Sequence, residues 1–96
     1  MKLVNNYNSA ILNKTIQAGT DIDIVSWEMD VDESFFLCTR VESVRDYPYD
    51  EECTKQMRIP IEKFMLEIEA KRFKNSPLTI KKNYIKNMLT SSKYNI

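Results

Sequence analysis

The spacing of apolar residues in this chain changes once, just after Pro60, and that change restricts the fold more than any motif does. From Ile22 to Ile61 apolar residues return mainly at every second position. From Glu62 onwards they return at third and fourth positions. A period of two belongs to a pleated strand with one face buried, and a period near 3.6 belongs to a helix. Strands first and helices after imply an α+β fold rather than alternating βαβ units. The expected architecture is a small antiparallel sheet of three to four strands followed by two C-terminal helices packed on one face. The 96 residues suit one small domain spanning 1–96.

The first part, "LVNNYNSAILNKTIQ", mixes apolar residues with amides, and a strand is expected over 10–17. "AGTD" follows as a turn in which Gly19 is free to take positive φ. In "IDIVSWEM" and the residues after it, Ile22 and Ile24 fall on one side and Val25, Trp27, Met29 and Val31 on the other, which reads as a strand over 22–29. "DVDES" turns the chain into a second strand, "FFLCTRVESV", at 35–44. Residues 45–56 read as a loop, because Pro48 has no N–H for a ladder and holds Tyr47 extended. Alternation resumes through Met57, Ile59 and Ile61. Pro60 confines that strand to a sheet edge or to its own last residues, or else opens a helix.

Ile61, Phe64, Met65, Ile68 and Arg72 share a helical face, which predicts a helix over 61–74. "NSP" at 75–77 interrupts it, with Ser76 suited to an N-cap and Pro77 to a first helical position. A second helix is expected over 77–90, with the stripe Leu78, Tyr84, Ile85, Met88 and Leu89, and a frayed tail beyond it. Phe64, Met65, Ile68, Ile85, Met88 and Leu89 are expected to pack the two helices onto the sheet.

Residue types then limit the chemistry. There is one glycine, so a phosphate-cradling loop of several glycines is excluded. There is no histidine, which removes the usual general base and the commonest zinc ligand. No cofactor and no metal are expected. The N-terminal stretch lacks the apolar core of a secretory signal, so Cys38 and Cys53 are expected to be free thiols. No apolar run reaches the roughly 20 residues that span a bilayer. The expected location is the cytoplasm. Abundant Asn, Lys, Ile, Tyr and Phe fit an AT-rich genome, including phages and mobile elements, in which case the location is the host cytoplasm.

The formal net charge is zero, but the charges are separated along the chain. Residues 21–52 hold eleven acids and two bases, a balance of −9; residues 53–96 hold ten bases and three acids, a balance of +7. Such an asymmetry is either neutralised inside the fold or turned towards a partner of opposite sign.

Candidate sites follow from these patterns. Asp30, Asp32 and Glu33 form D-x-D-E, which can bind a divalent ion but also suits a plain turn. Asp21 and Asp23 fall on one sheet face and resemble a fragment of a two-metal site, but a solvated face of a half-buried sheet is the better explanation. Cys53 follows three carboxylates, which disfavours its thiolate. Lys81, Lys82 and Lys86 on the second helix could contact phosphates. The stretch "DYPYDEE" places Tyr47, Tyr49, Asp50, Glu51 and Glu52 in an irregular segment. Tyrosine offers rigid contact area at low entropic cost, and the acids favour a basic surface. The resulting expectation is a non-enzymatic protein-binding accessory protein or inhibitor that uses an acidic face against a basic partner surface. The alternative is a small nucleic-acid-binding or regulatory protein using the basic C-terminal helix.

Overall fold

Two antiparallel sheets precede the helices in the computed structural model, which describes residues 1–41 and 55–94. The first sheet is a hairpin of β1 (Tyr7–Ser9) and β2 (Lys14–Ile16). Ser9 Oγ accepts the Leu12 N–H at 3.1 Å, and Asn13 takes φ 51, a left-handed conformation that asparagine tolerates. The strand expected over 10–17 is therefore confined to 14–16, because 10–13 make the turn; its partner at 7–9 carries no clear alternation. Gly19 has φ 92, as its place in "AGTD" implies.

The second sheet has the order β3 (Ser26–Met29), β4 (Phe35–Val41), β5 (Lys55–Pro60). Its register aligns Trp27, Leu37 and Ile59 in one row and Ser26, Cys38 and Arg58 in the next. Neighbouring rows point to opposite faces. Phe35, Leu37, Met57 and Ile59 turn into the core, where Leu3, Ile22, Ile61, Phe64, Met65, Phe73 and Ile85 meet them. The opposite face carries Glu28, Phe36, Arg40, Gln56 and Arg58.

The continuous ladder of β3 begins only at Ser26. Residues 21–25 are held by separate bonds: Ile22 N–H to the Met1 carbonyl, Thr39 Oγ1 to the Asp23 carbonyl at 2.6 Å, and Val25 N–H to the Cys38 carbonyl. β5 begins at Lys55, so residues 55 and 56 belong to a strand and not to the expected loop. Pro60 ends β5 with φ −53 and ψ 134 and directly precedes a 3₁₀ turn, Ile61–Phe64. Strand end and helix start thus coincide at one proline.

The single helix expected over 61–74 is divided. After the 3₁₀ turn, Met65 and Leu66 are extended, and α1 runs over Glu67–Lys74. The tighter turn keeps Ile61 and Phe64, three residues apart, on one side. The extended pair then resets the helical phase. Ile68 is consequently 61% exposed, whereas Phe73 is buried, correcting the expectation that Ile68 packs on the sheet. α2 spans Leu78–Tyr94 and ends beyond the expected position 90. Ile85 is its fully buried anchor, with Leu78, Tyr84, Met88 and Leu89 partly buried around it. Ser76 does not cap α2: its hydroxyl donates back to the Arg72 carbonyl at 2.7 Å, and the Pro77 carbonyl accepts the Lys81 N–H.

An aromatic chain links the layers. Trp27 lies 5.9 Å from Phe35, Phe35 meets Phe73 edge-on at 5.6 Å, and Phe73 meets Tyr84 at 5.7 Å. Such pairs add roughly 0.5–1.5 kcal/mol each beyond their buried area. An N-terminal arm joins the 3₁₀ turn and the residue that follows it. The N–H groups of Val4 and Asn5 both donate to the Lys63 carbonyl, and Asn5 Nδ2 donates to the Met65 carbonyl at 3.2 Å. Among the described residues, no helix is long and apolar enough to cross a membrane.

Candidate functional site

The two edges of the three-stranded sheet differ. At β5, the Tyr7 hydroxyl donates to the Arg58 carbonyl at 2.9 Å and Pro60 offers no N–H, so that edge is partly closed. Among the described residues no strand lies beyond β3. Around β3, residues 21–33 carry six carboxylates (Asp21, Asp23, Glu28, Asp30, Asp32, Glu33) and no base. Asp21 and Asp23 precede the strand, Glu28 lies within it, and the other three belong to the β3–β4 turn.

Several of these groups already have partners. Asp21 Oδ1 lies 2.6 Å from the Met1 amino group. The hydrogen bond to that amine, and then its charge, lower the Asp21 carboxyl from its ordinary range. Glu28 reaches across β4 to Arg58 at 2.8 Å. Asp30 Oδ1 accepts the N–H groups of Asp32 and Ser34, both at 2.9 Å, while Glu33 takes φ 59. The D-x-D-E stretch is therefore the scaffold of a tight turn. Asp23, Asp32 and Glu33 form no ion pair among the described residues. Nor, among these residues, do three acidic or thiol side chains gather as a metal site.

Apolar side chains interrupt this acidic rim. Val25 is 43%, Met29 39% and Val31 98% exposed. Trp27 is half-buried against Phe35. Beside the start of β3, a cleft of about 430 Å³ is lined by Met1, residues 21–25 and Leu89.

Cys38 is a free thiol and fully buried, although its strand position faces away from the main core. The Glu28–Arg58 pair joins residues of the two strands flanking it. Burial pushes the thiol up, and Glu28 adds to that; a hydrogen bond with Ser26 and the charge of Arg58 act the other way. This is an inert thiol rather than a nucleophile.

The three helical lysines are not equivalent. Lys81 Nζ stands 5.7 Å from the Phe73 ring centroid, a cation–π contact that occupies it. Lys82 is half-buried, and Lys86, one turn on, is exposed. Beside them, α1 and α2 enclose a cleft of about 380 Å³. There the Tyr84 hydroxyl donates to Glu69 Oε2 at 2.9 Å. Burial, reinforced by this carboxylate, pushes the Tyr84 phenol up.

The expected contact residues Tyr47, Tyr49, Asp50, Glu51 and Glu52 lie outside the described residues, as does Cys53. The acidic half and a strand within it are legible in the sequence, whereas the place of that strand at the edge of the sheet is not. The signal is six carboxylates and no base within residues 21–33. No family model, curated protein or solved structure matches this chain.

Proposed function

We propose that this protein is a binding domain, not an enzyme, and that it occupies a basic surface of another protein. The carrying observation is the β3 edge: carboxylates of one sign surround an outer strand and alternate with exposed Val25, Met29 and Val31. A field of one sign accelerates encounter with an oppositely charged partner, and the apolar contacts then slow its release. The sequence continues the acidic excess with Glu42, Asp46, Asp50, Glu51 and Glu52. A domain that covers a basic surface also blocks whatever that surface ordinarily binds, so an accessory or inhibitory role follows.

Two triple variants test this reading. Asp23→Asn, Asp32→Asn and Glu33→Gln neutralise acids near β3 that form no ion pair among the described residues and, unlike Asp30, do not brace the turn. Asp50→Ala, Glu51→Ala and Glu52→Ala remove those of "DYPYDEE". With a partner isolated on the immobilised protein, association is followed at two ionic strengths. At least one variant should associate more slowly and show a flatter response to salt. Unchanged association in both would remove the acidic surface from the interaction. Retardation of DNA or RNA with a steep salt slope would instead favour the basic helices, through Lys82 and Lys86.

A further inference from the structure

We infer that the β3 edge binds its partner by strand addition, taking an extended segment in which basic and apolar residues alternate. This rests on the reading of the acidic edge as a protein-binding surface and specifies how that edge engages. Among the described residues, the register leaves outward backbone groups of β3 without a partner. The Asp30 N–H bonds to the Ser34 carbonyl at 2.9 Å, and the pairing Ser26↔Cys38 to Met29↔Phe35 extends from that bond. Bonded and non-bonded pairs alternate along an antiparallel ladder. Ser26 and Glu28 therefore bond to β4, and the N–H and C=O groups of Trp27 and Met29 point away from it. Four outward backbone groups make a short template for one more strand.

Side chains decide which strand fits. On the outer face an added residue would lie beside Glu28, with Asp23 near one end of the strand and Asp32 and Glu33 near the other. On the inner face it would continue the row of Trp27 and Met29. A segment with lysine or arginine on one side and aliphatic residues on the other satisfies both. A second copy of this chain does not, because pairing β3 with β3 would set six carboxylates against six.

The probe is a synthetic peptide of about eight residues, an ordinary strand length, alternating lysine and valine. The control is the same peptide with alternate amide nitrogens methylated, which keeps charge and side chains but removes ladder donors. Titrations with the intact protein, read by Trp27 fluorescence and by the amide signals of residues 26–30, should show binding of the first peptide. The methylated peptide should bind about tenfold more weakly or worse, since each lost hydrogen bond contributes a modest factor. Met29→Pro removes one outward N–H while leaving the β4 side intact, and it should weaken the first peptide similarly. If that variant does not fold, the methylated peptide still decides. Equal binding of the two peptides would overturn strand addition and leave the acidic-surface reading standing. Binding of neither peptide, nor of a lysine-rich peptide without alternation, would remove both. Concentration-dependent dimerisation of the protein alone, abolished by Met29→Pro, would overturn the partner assignment in favour of a second copy.

Discussion

Phe64, Ile68 and Phe73 show how much depends on one residue's angular position. Phe64 and Phe73 are buried, and truncating either to alanine should cost about 3–5 kcal/mol in chemical unfolding. Ile68 is exposed, so Ile68→Ala should stay within about 0.5 kcal/mol. A large loss at Ile68 with none at Phe73 would restore an uninterrupted helix from 61. Tyr84 provides a test by pH. Its phenol is raised in the folded protein, so the folded state keeps a proton that an unfolded tyrosine loses near pH 10. The stabilisation is complete below the ordinary tyrosine value and falls as pH rises through the folded value. Tyr84→Phe should flatten this alkaline decline, measured as unfolding midpoint against pH. Cys38 should react with an alkylating reagent only as fast as the fold opens.

At the scale of elements, the strands around Phe35–Val41 and Met57–Pro60 and the inward stripe of α2 were legible, because burial on one face leaves a periodic trace. The divided helix was not. Ile61, Phe64, Met65 and Ile68 fit a continuous helix as well as a broken one, and only tertiary packing selects between them. The closing of the β5 edge by Tyr7 was also hidden, since it joins residues 51 positions apart. The acidic site was half legible: its composition could be counted, but its arrangement around an outer strand needed the sheet order. The break leaves α1 without a side-chain cap at Leu66. Leu66→Asp should supply one to the first-turn N–H groups and stabilise the protein by about 1 kcal/mol. No gain in unfolding midpoint would mean those groups already have partners.

Taken as a whole, the chain is a meander of neighbouring strands and helices, closed by an arm that reaches from Val4 and Asn5 to Lys63 and Met65. Hairpins form from residues close in sequence, but this closure must bring together positions about sixty apart and so bears a larger loop entropy. It should therefore form after the folding barrier. Asn5→Ala should lower stability by about 1 kcal/mol and accelerate unfolding much more than it slows folding, as stopped-flow kinetics would show. The same geometry orders events during synthesis. Val4 and Asn5 are made well before their acceptors at Lys63 and Met65. At about 5–20 residues per second, making the intervening residues takes several seconds, and the arm cannot close before Lys63 and Met65 have emerged.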